Sequence, residues 1–180
     1  MNLVVPVGTA TRGTVYVHST PVSREVYERY FLTIAKTFSG LFQHGLGTTT
    51  GPRVSMLLLR RVAEADGNWE GPDGVQQGLV AEMRRLTNVV VSSPQGWQTI
   101  PLDAAVQDNV IDREDAAEVE NAVAFFTIIC HIADESNLGE FHRGMNSLWG
   151  ARAEPLDCTA FRSGLPTSTE TGSSGAMPPT

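Results

Sequence analysis

The longest apolar run in the chain, residues 122–133, most restricts what the chain can fold into. Asp112 is a suitable N-cap for a helix containing this run, because its side chain can accept a hydrogen bond from the first helical turn. The run includes Thr127 and His131 and is shorter than the roughly 20 apolar residues that span a membrane. The helix is hydrophobic nearly all round, so we expect it to lie centrally in a bundle or to be shared with a partner.

Other helices are predicted from residue spacing. Ser23 and Glu25 suit a helix start and Gly45 suits its end. The large apolar residues between them recur at steps of three and four, which is typical of one helix face. They are Tyr27, Tyr30, Phe31, Ile34, Phe38, Leu41 and Phe42. Further helices are predicted for residues 52–67, 75–86, 102–108 and 138–149.

Short runs rich in valine predict a small amount of β-structure. Residues 3–7 and 14–18 flank a small polar segment and predict an N-terminal hairpin. Residues 89–91 and 97–100 predict a second short hairpin. The fold class expected from the whole pattern is mainly α, a compact bundle of about five helices with one small N-terminal hairpin and this second one.

The helical pattern stops near residue 151, and Ser, Thr, Gly and Pro dominate the end of the chain. Such a segment has too few large apolar side chains to offset the entropy lost on ordering. We therefore expect a helical domain over residues 1–150 and a flexible, disordered tail over residues 151–180.

Composition excludes some function classes. The net charge of -7 argues against binding nucleic acid, because that affinity comes from clustered Lys and Arg. The N-terminus has no basic segment of the kind that opens a signal peptide, so a cytoplasmic protein is expected. Cys130 and Cys158 are then expected to be free thiols.

None of the polar clusters predicts a complete site. Four acidic residues near the start of the helix at 112 could hold a cation, but they also complement the helix dipole, and no histidine lies at a ligand spacing. Those residues are Asp112, Asp115, Glu118 and Glu120. Cys130 and His131 point about 100° apart on a helix and cannot act as a dyad. His18, His44 and His142 have no accompanying zinc motif. No catalytic, cofactor or metal residue is therefore predicted, and an enzyme site built from dispersed residues is the remaining alternative.

Seven segments of the chain resemble, in their order and local sequence, the tail assembly chaperones of long-tailed bacteriophages. They are residues 20–27 (TPVSREVY), 51–54 (GPRV), 85–89 (RLTNV), 109–112 (NVID), 115–121 (DAAEVEN), 147–150 (SLWG) and 165–168 (LPTS). The resemblance covers most of the chain. It implies a mainly helical, non-enzymatic protein that uses no cofactor.

The resemblance also implies partners. A protein of this family coats the tape measure protein during tail assembly, keeps it soluble and helps recruit the tail tube protein. It would act in the host cell cytoplasm and be absent from the mature virion. A longer product made by ribosomal frameshifting is common in the family, and a homo-oligomer is an open alternative for this chain.

A chaperone for an apolar client needs an apolar surface of its own. The candidate partner-binding residues are Phe125, Ile128, Ile129 and Ile132, in the driest part of the central helix. A second class of function stays open, namely a structural virion component such as a tail terminator, a connector or a minor capsid protein, whose tail would become ordered on a neighbour.

Overall fold

The computed structural model describes residues 1–9, 12–43, 45–133 and 135–166. Within these residues the chain forms eight α-helices and a five-stranded antiparallel sheet. The prediction of a mainly α bundle with small hairpins is therefore wrong, and the fold is mixed α/β.

The strands are β1 (Asn2–Thr9), β2 (Gly13–Ser19), β3 (Thr87–Ser93), β4 (Gly96–Pro101) and β5 (Arg152–Glu154). The helices are α1 (Arg24–Arg29), α2 (Phe31–Gln43), α3 (Gly47–Ala65), α4 (Ala81–Arg85), α5 (Leu102–Gln107), α6 (Arg113–Ile132), α7 (Glu135–Trp149) and α8 (Cys158–Ser163). One π-helical turn, Gln76–Val80, runs directly into α4.

The sheet explains why the fold class differs from the prediction. Both predicted hairpins are present, β1 with β2 and β3 with β4. They also pair with each other, because β2 lies antiparallel to β3 from Tyr16↔Val90 to Ser19↔Thr87. β5 adds to the outside of β1, which gives the order β4-β3-β2-β1-β5. Period-two alternation marks a strand without identifying its neighbour, so the sequence pattern could not join the hairpins.

The sheet is covered on both faces. Alternate valines of β1, β2 and β3, such as Val5, Val17 and Val89, pack into the main core with α3 and α6. Val4 and Val90 point to the other face and pack against Phe161 of α8. The helices therefore form a thick layer on one side, and a single short helix covers the other.

Part of the predicted tail is ordered. α8 begins at the N-cap Asp157, whose Oδ1 accepts a hydrogen bond from the Ala160 N–H at 2.9 Å. Phe161 is buried with its ring 5.7 Å from that of Tyr16. The expectation of disorder from residue 151 is wrong for 151–166, because one aromatic anchor on the sheet compensates for the low apolar content. The rest of the predicted tail, 167–180, lies outside the described residues.

The first predicted helix is divided in two. Ser23 caps α1, as the sequence predicts, and its Oγ accepts from the Val26 N–H at 3.3 Å. Tyr30 leaves the helical conformation with φ -106° and separates α1 from α2. Its buried side chain donates from Oη to the Asp73 carbonyl at 3.2 Å. The break therefore positions an aromatic ring against the π-helical turn.

Candidate functional site

The four residues predicted to bind a partner lie in or beside the core. Phe125, Ile128 and Ile129 are buried, so a partner cannot reach them while this protein is folded. Of the four, only Ile132 is partly exposed. α6 is central, with α3, α2 and α7 packed around it. Of the two readings of a helix that is apolar all round, the structure supports full enclosure for these three positions. Their proposed surface exposure is therefore wrong.

A row of partly exposed aromatic side chains lies instead on α1 and α2. Tyr27, Phe31, Phe38 and Phe42, here called the aromatic stripe, recur at helical spacing along one side of the chain. Phe31 is 46% exposed and Phe42 is 41% exposed, while Tyr27 and Phe38 are half-buried. From Phe31 to Phe42 the stripe extends about 16 Å along the helix axis. A large aromatic side chain left in water is the less common case and suggests a contact surface.

The stripe is held by ring contacts within it and beneath it. The rings of Phe38 and Phe42 are 4.8 Å apart, and those of Tyr27 and Phe31 are 5.8 Å apart. Phe141 of α7 lies below, with its ring 6.0 Å from that of Phe42. Such edge and tilted pairs keep the rings in fixed orientations. The stripe therefore consists of two ring pairs, Tyr27 with Phe31 and Phe38 with Phe42, and the second pair packs on Phe141.

The end of α6 borders the stripe. The imidazole of His131 stacks on the Tyr27 ring with centroids 4.4 Å apart. Ile132, the one predicted partner residue that is partly exposed, follows His131 directly. Whether Ile132 binds a partner stays a prediction, and the sequence analysis used the aromatic spacing of α2 only to predict a helix face.

A groove of about 510 Å³ lies between α3, the π-helical turn and α6. Leu57 is exposed at its rim, and the Arg60 guanidinium lies 5.5 Å from the Trp69 ring centroid. An ion pair between Arg84 and Glu120 at 2.6 Å crosses its lining. Because these charges interrupt the apolar lining, the groove suits an apolar client less well than the stripe does.

The acidic residues near the start of α6 have structural partners. Asp112 caps the helix by accepting from the Asp115 N–H at 2.8 Å, as the sequence predicts. Glu118 accepts from the Trp149 Nε1–H at 2.8 Å, and Glu120 pairs with Arg84. Partial burial, followed by the neighbouring carboxylates, raises the pKa of Asp115. No group of three or more metal-ligating side chains is found among the residues that the structure describes.

Among the described residues, the cysteines and histidines do not converge either. Cys130 and Cys158 are free, and burial raises the pKa of the Cys130 thiol to about 11, which disfavours the reactive thiolate. His18 is buried under α8, with Nε2 3.0 Å from the Leu156 carbonyl. His44 lies outside the described residues.

Two histidines beside the helical core predict an acid-sensitive fold. Burial lowers the pKa of both His131 and His142 below their ordinary 6.5, although a hydrogen bond to the Val22 backbone opposes the shift at His131. Below about pH 6.5 these histidines therefore bind protons more readily in the unfolded chain than in the folded chain. The stability that their neutral forms allow is fully present above about pH 6.5 and is lost as the pH falls below it.

We expect the melting temperature to fall between pH 7 and pH 5.5, because protonation of these histidines favours the unfolded chain. The double variant His131→Gln/His142→Gln should show a flatter pH profile than the native chain when melting is followed by circular dichroism. Parallel profiles for the two proteins would assign the acid sensitivity to other groups.

Within the described part of the chain, no helix has the length and apolar character needed to cross a bilayer. No protein-family model, curated protein or solved structure matches this chain.

Proposed function

We propose that this protein is a non-enzymatic tail assembly chaperone of a long-tailed bacteriophage that binds the tape measure protein and keeps it soluble. The observation that carries the proposal is the aromatic stripe, a row of partly exposed rings along α1 and α2. The seven segments resembling tail assembly chaperones supply the identity of the client. The protein would act in the host cytoplasm, help recruit the tail tube protein and leave before the virion matures.

The dimensions of the stripe suit a helical client. Its length of about 16 Å corresponds to three turns of a helix, enough for apolar side chains at positions i, i+4, i+7 and i+11 of the client. Phe31, Phe38 and Phe42 have the same spacing on α2, with Ala35 between them. Two helices with matching apolar rows can pack side by side and remove both rows from water.

A contact of this size is weak alone, which fits a temporary function. One row of rings buries far less than the area of a stable protein complex. Many copies along a long client would nevertheless hold it together by avidity, while each copy can still be released. A chaperone that must be displaced by tail tube subunits needs contacts of this kind.

We expect the double variant Phe31→Gln/Phe42→Gln to lower co-purification of the co-expressed tape measure protein at least about tenfold. Loss of two aromatic contacts in an interface costs about 1 to 2 kcal/mol each, and 1.4 kcal/mol corresponds to a factor of ten. Glutamine keeps α2 helical, and each substitution should cost under about 1.5 kcal/mol of stability, because both side chains are partly exposed. The bound fraction is measured by affinity capture of the chaperone and quantification of the client.

Leu156→Gln is the matched control. Leu156 is 47% exposed, comparable to Phe31, but lies between β5 and α8, away from the stripe. This variant should retain native co-purification. Equal losses in both proteins, or no loss in the stripe variant, would contradict the assignment of the stripe, and failure of the native chain to bind any tape measure protein would reject the function itself.

The alternative function as a structural virion component rests on a long tail that orders on a neighbour. Residues 151–166 order on the protein's own sheet instead, which removes part of that support. Mass spectrometry of purified particles separates the two functions, because a chaperone is absent from the particle and a component is present in fixed copy number.

A further inference from the structure

Within the described residues, β4 forms one edge of the sheet, and β5 together with the part of β1 beyond Val4 forms the other. β5 has three residues, whereas β4 has six. An edge strand presents backbone N–H and C=O groups that can pair with another chain, and proteins usually protect such edges with charges. β4 (GWQTIP) contains no charged residue. It is therefore an uncharged edge strand of six residues that can pair with another chain.

The pairing of β2 with β3 shows which backbone groups point outward. The Thr20 N–H donates to the Leu86 carbonyl at 3.1 Å, one step beyond the last paired residues of these strands. Hydrogen-bonded pairs alternate with non-bonded pairs in an antiparallel ladder. Counting along the register, the pair Tyr16↔Val90 is bonded, so the backbone groups of Val90 face β2.

The alternate residues of β3, Val89 and Val91, therefore bond to β4. Their partners there are Ile100 and Gln98. The N–H and C=O groups of Trp97 and Thr99 must then point away from β3, toward the open edge. Within the residues that the structure describes, neither N–H donates to another backbone carbonyl. Pro101, which has no N–H, ends this row of donors.

We infer that β4 pairs antiparallel with β4 of a second copy of this chain, about a two-fold axis that passes through Gln98. In this register Trp97 of each copy lies opposite Thr99 of the other. Gln98 lies opposite Gln98 of the second copy. All four outward groups of each copy find partners, and the two sheets become one continuous sheet. The interface is isologous, as in most homodimers.

Two observations favour a second copy over other occupants. The outward groups form a row that is complementary to itself about Gln98, and the lack of charge in β4 avoids repulsion between two copies of a chain with net charge -7. The competing occupant is the end of the same chain. Pro166, the last described residue, lies beside β4, because the Trp97 Nε1–H donates to its carbonyl at 2.8 Å. If residues 167–180 of the same chain occupied the edge, no intermolecular contact at Gln98 would form.

The test is disulfide trapping of the full-length chain. The two Gln98 residues form a non-bonded pair with Cα atoms about 4.5 Å apart, which a disulfide can bridge. Mild oxidation of Gln98→Cys should convert most of the protein to a covalent dimer on a non-reducing gel. Gln95→Cys, an exposed site on the same hairpin, is the control, because its two thiols would lie about 20 Å apart.

A second variant tests the hydrogen bonds. Thr99→Pro removes an outward N–H without touching the β3–β4 ladder, and proline is tolerated where an edge N–H faces solvent. Added to Gln98→Cys, it should reduce the trapped dimer at least tenfold, whereas Thr99→Val should not, and circular dichroism checks that both remain folded. No trapping at position 98, equal trapping at 95 and 98, or a folded Thr99→Pro protein that traps normally would each overturn the inference. None of these outcomes depends on client binding, so this inference and the chaperone function can fail separately.

Discussion

Phe125→Ala is expected to lower the free energy of unfolding by about 3 to 5 kcal/mol, the usual cost of deleting a large buried aromatic side chain. Phe125 is 0% exposed, and its ring lies 5.8 Å from that of Phe141 in an edge-to-face contact. Truncation to alanine leaves a cavity where α6 and α7 meet. Because small domains have only about 5 to 15 kcal/mol of stability, this loss is a large share of the total. Urea denaturation followed by circular dichroism measures it.

Phe31→Ala is the control for Phe125→Ala, because it separates the cost of losing a buried ring from the cost of losing a partly exposed one. Both substitutions delete the same atoms, but Phe31 is 46% exposed, so its loss should cost under about 1.5 kcal/mol. Similar values for the two variants would mean that the stripe is part of the core. The expected difference also means that polar substitution at Phe125, Ile128 or Ile129 cannot test the proposed client binding, since those variants would unfold.

Gly78→Ala is expected to destabilise the protein by about 3 kcal/mol or more, at the upper end of the cost of overpacking a core. A Cβ at this position would lie 1.6 Å from the Tyr30 Oη and 2.5 Å from its Cζ. Tyr30 cannot move away easily, because it is buried and its hydroxyl donates to the Asp73 carbonyl. The contact between the π-helical turn and the α1–α2 break therefore depends on a glycine at position 78 of the turn. Thermal and urea unfolding report the loss.

Two further variants separate this clash from the general effect of replacing a helical glycine. Gly139 of α7 has no atoms near its potential Cβ, so Gly139→Ala should be neutral or stabilising by up to about 1 kcal/mol. Tyr30→Leu shortens the side chain, so Tyr30→Leu/Gly78→Ala should lose less than the sum of the two single losses. Additive losses would show that the Tyr30 ring is not what excludes a methyl group at position 78.

The short-range features of the fold were predictable from the sequence. Ser23 and Asp112 cap helices because their side chains meet N–H groups three residues away, and both strand pairs with short loops form as predicted. These interactions lie within a few residues of one another, so local residue types determine them. The same holds for α6, whose apolar run marks a helix in a dry environment.

Long-range contacts decided the rest. The joining of β2 to β3 turned two hairpins into a central sheet, and Phe161 ordered a segment of tail-like composition by packing on that sheet. The local sequence of β2 does not identify β3 as its neighbour, because backbone hydrogen bonds are the same in every strand. Phe161 does not reveal its contact with the sheet either, since one aromatic residue hardly changes the composition of its segment.

The burial of α2 and α6 also depended on both the local sequence and long-range packing. By itself, the sequence determined that α6 is apolar all round and that α2 carries a row of aromatic residues. Only the tertiary structure decided which of the two is enclosed, because a helix face is buried or exposed according to what packs against it. α3, α2 and α7 surround α6, while no described element covers Phe31 and Phe42 fully, so solvent reaches these rings of α2 but not Phe125, Ile128 and Ile129.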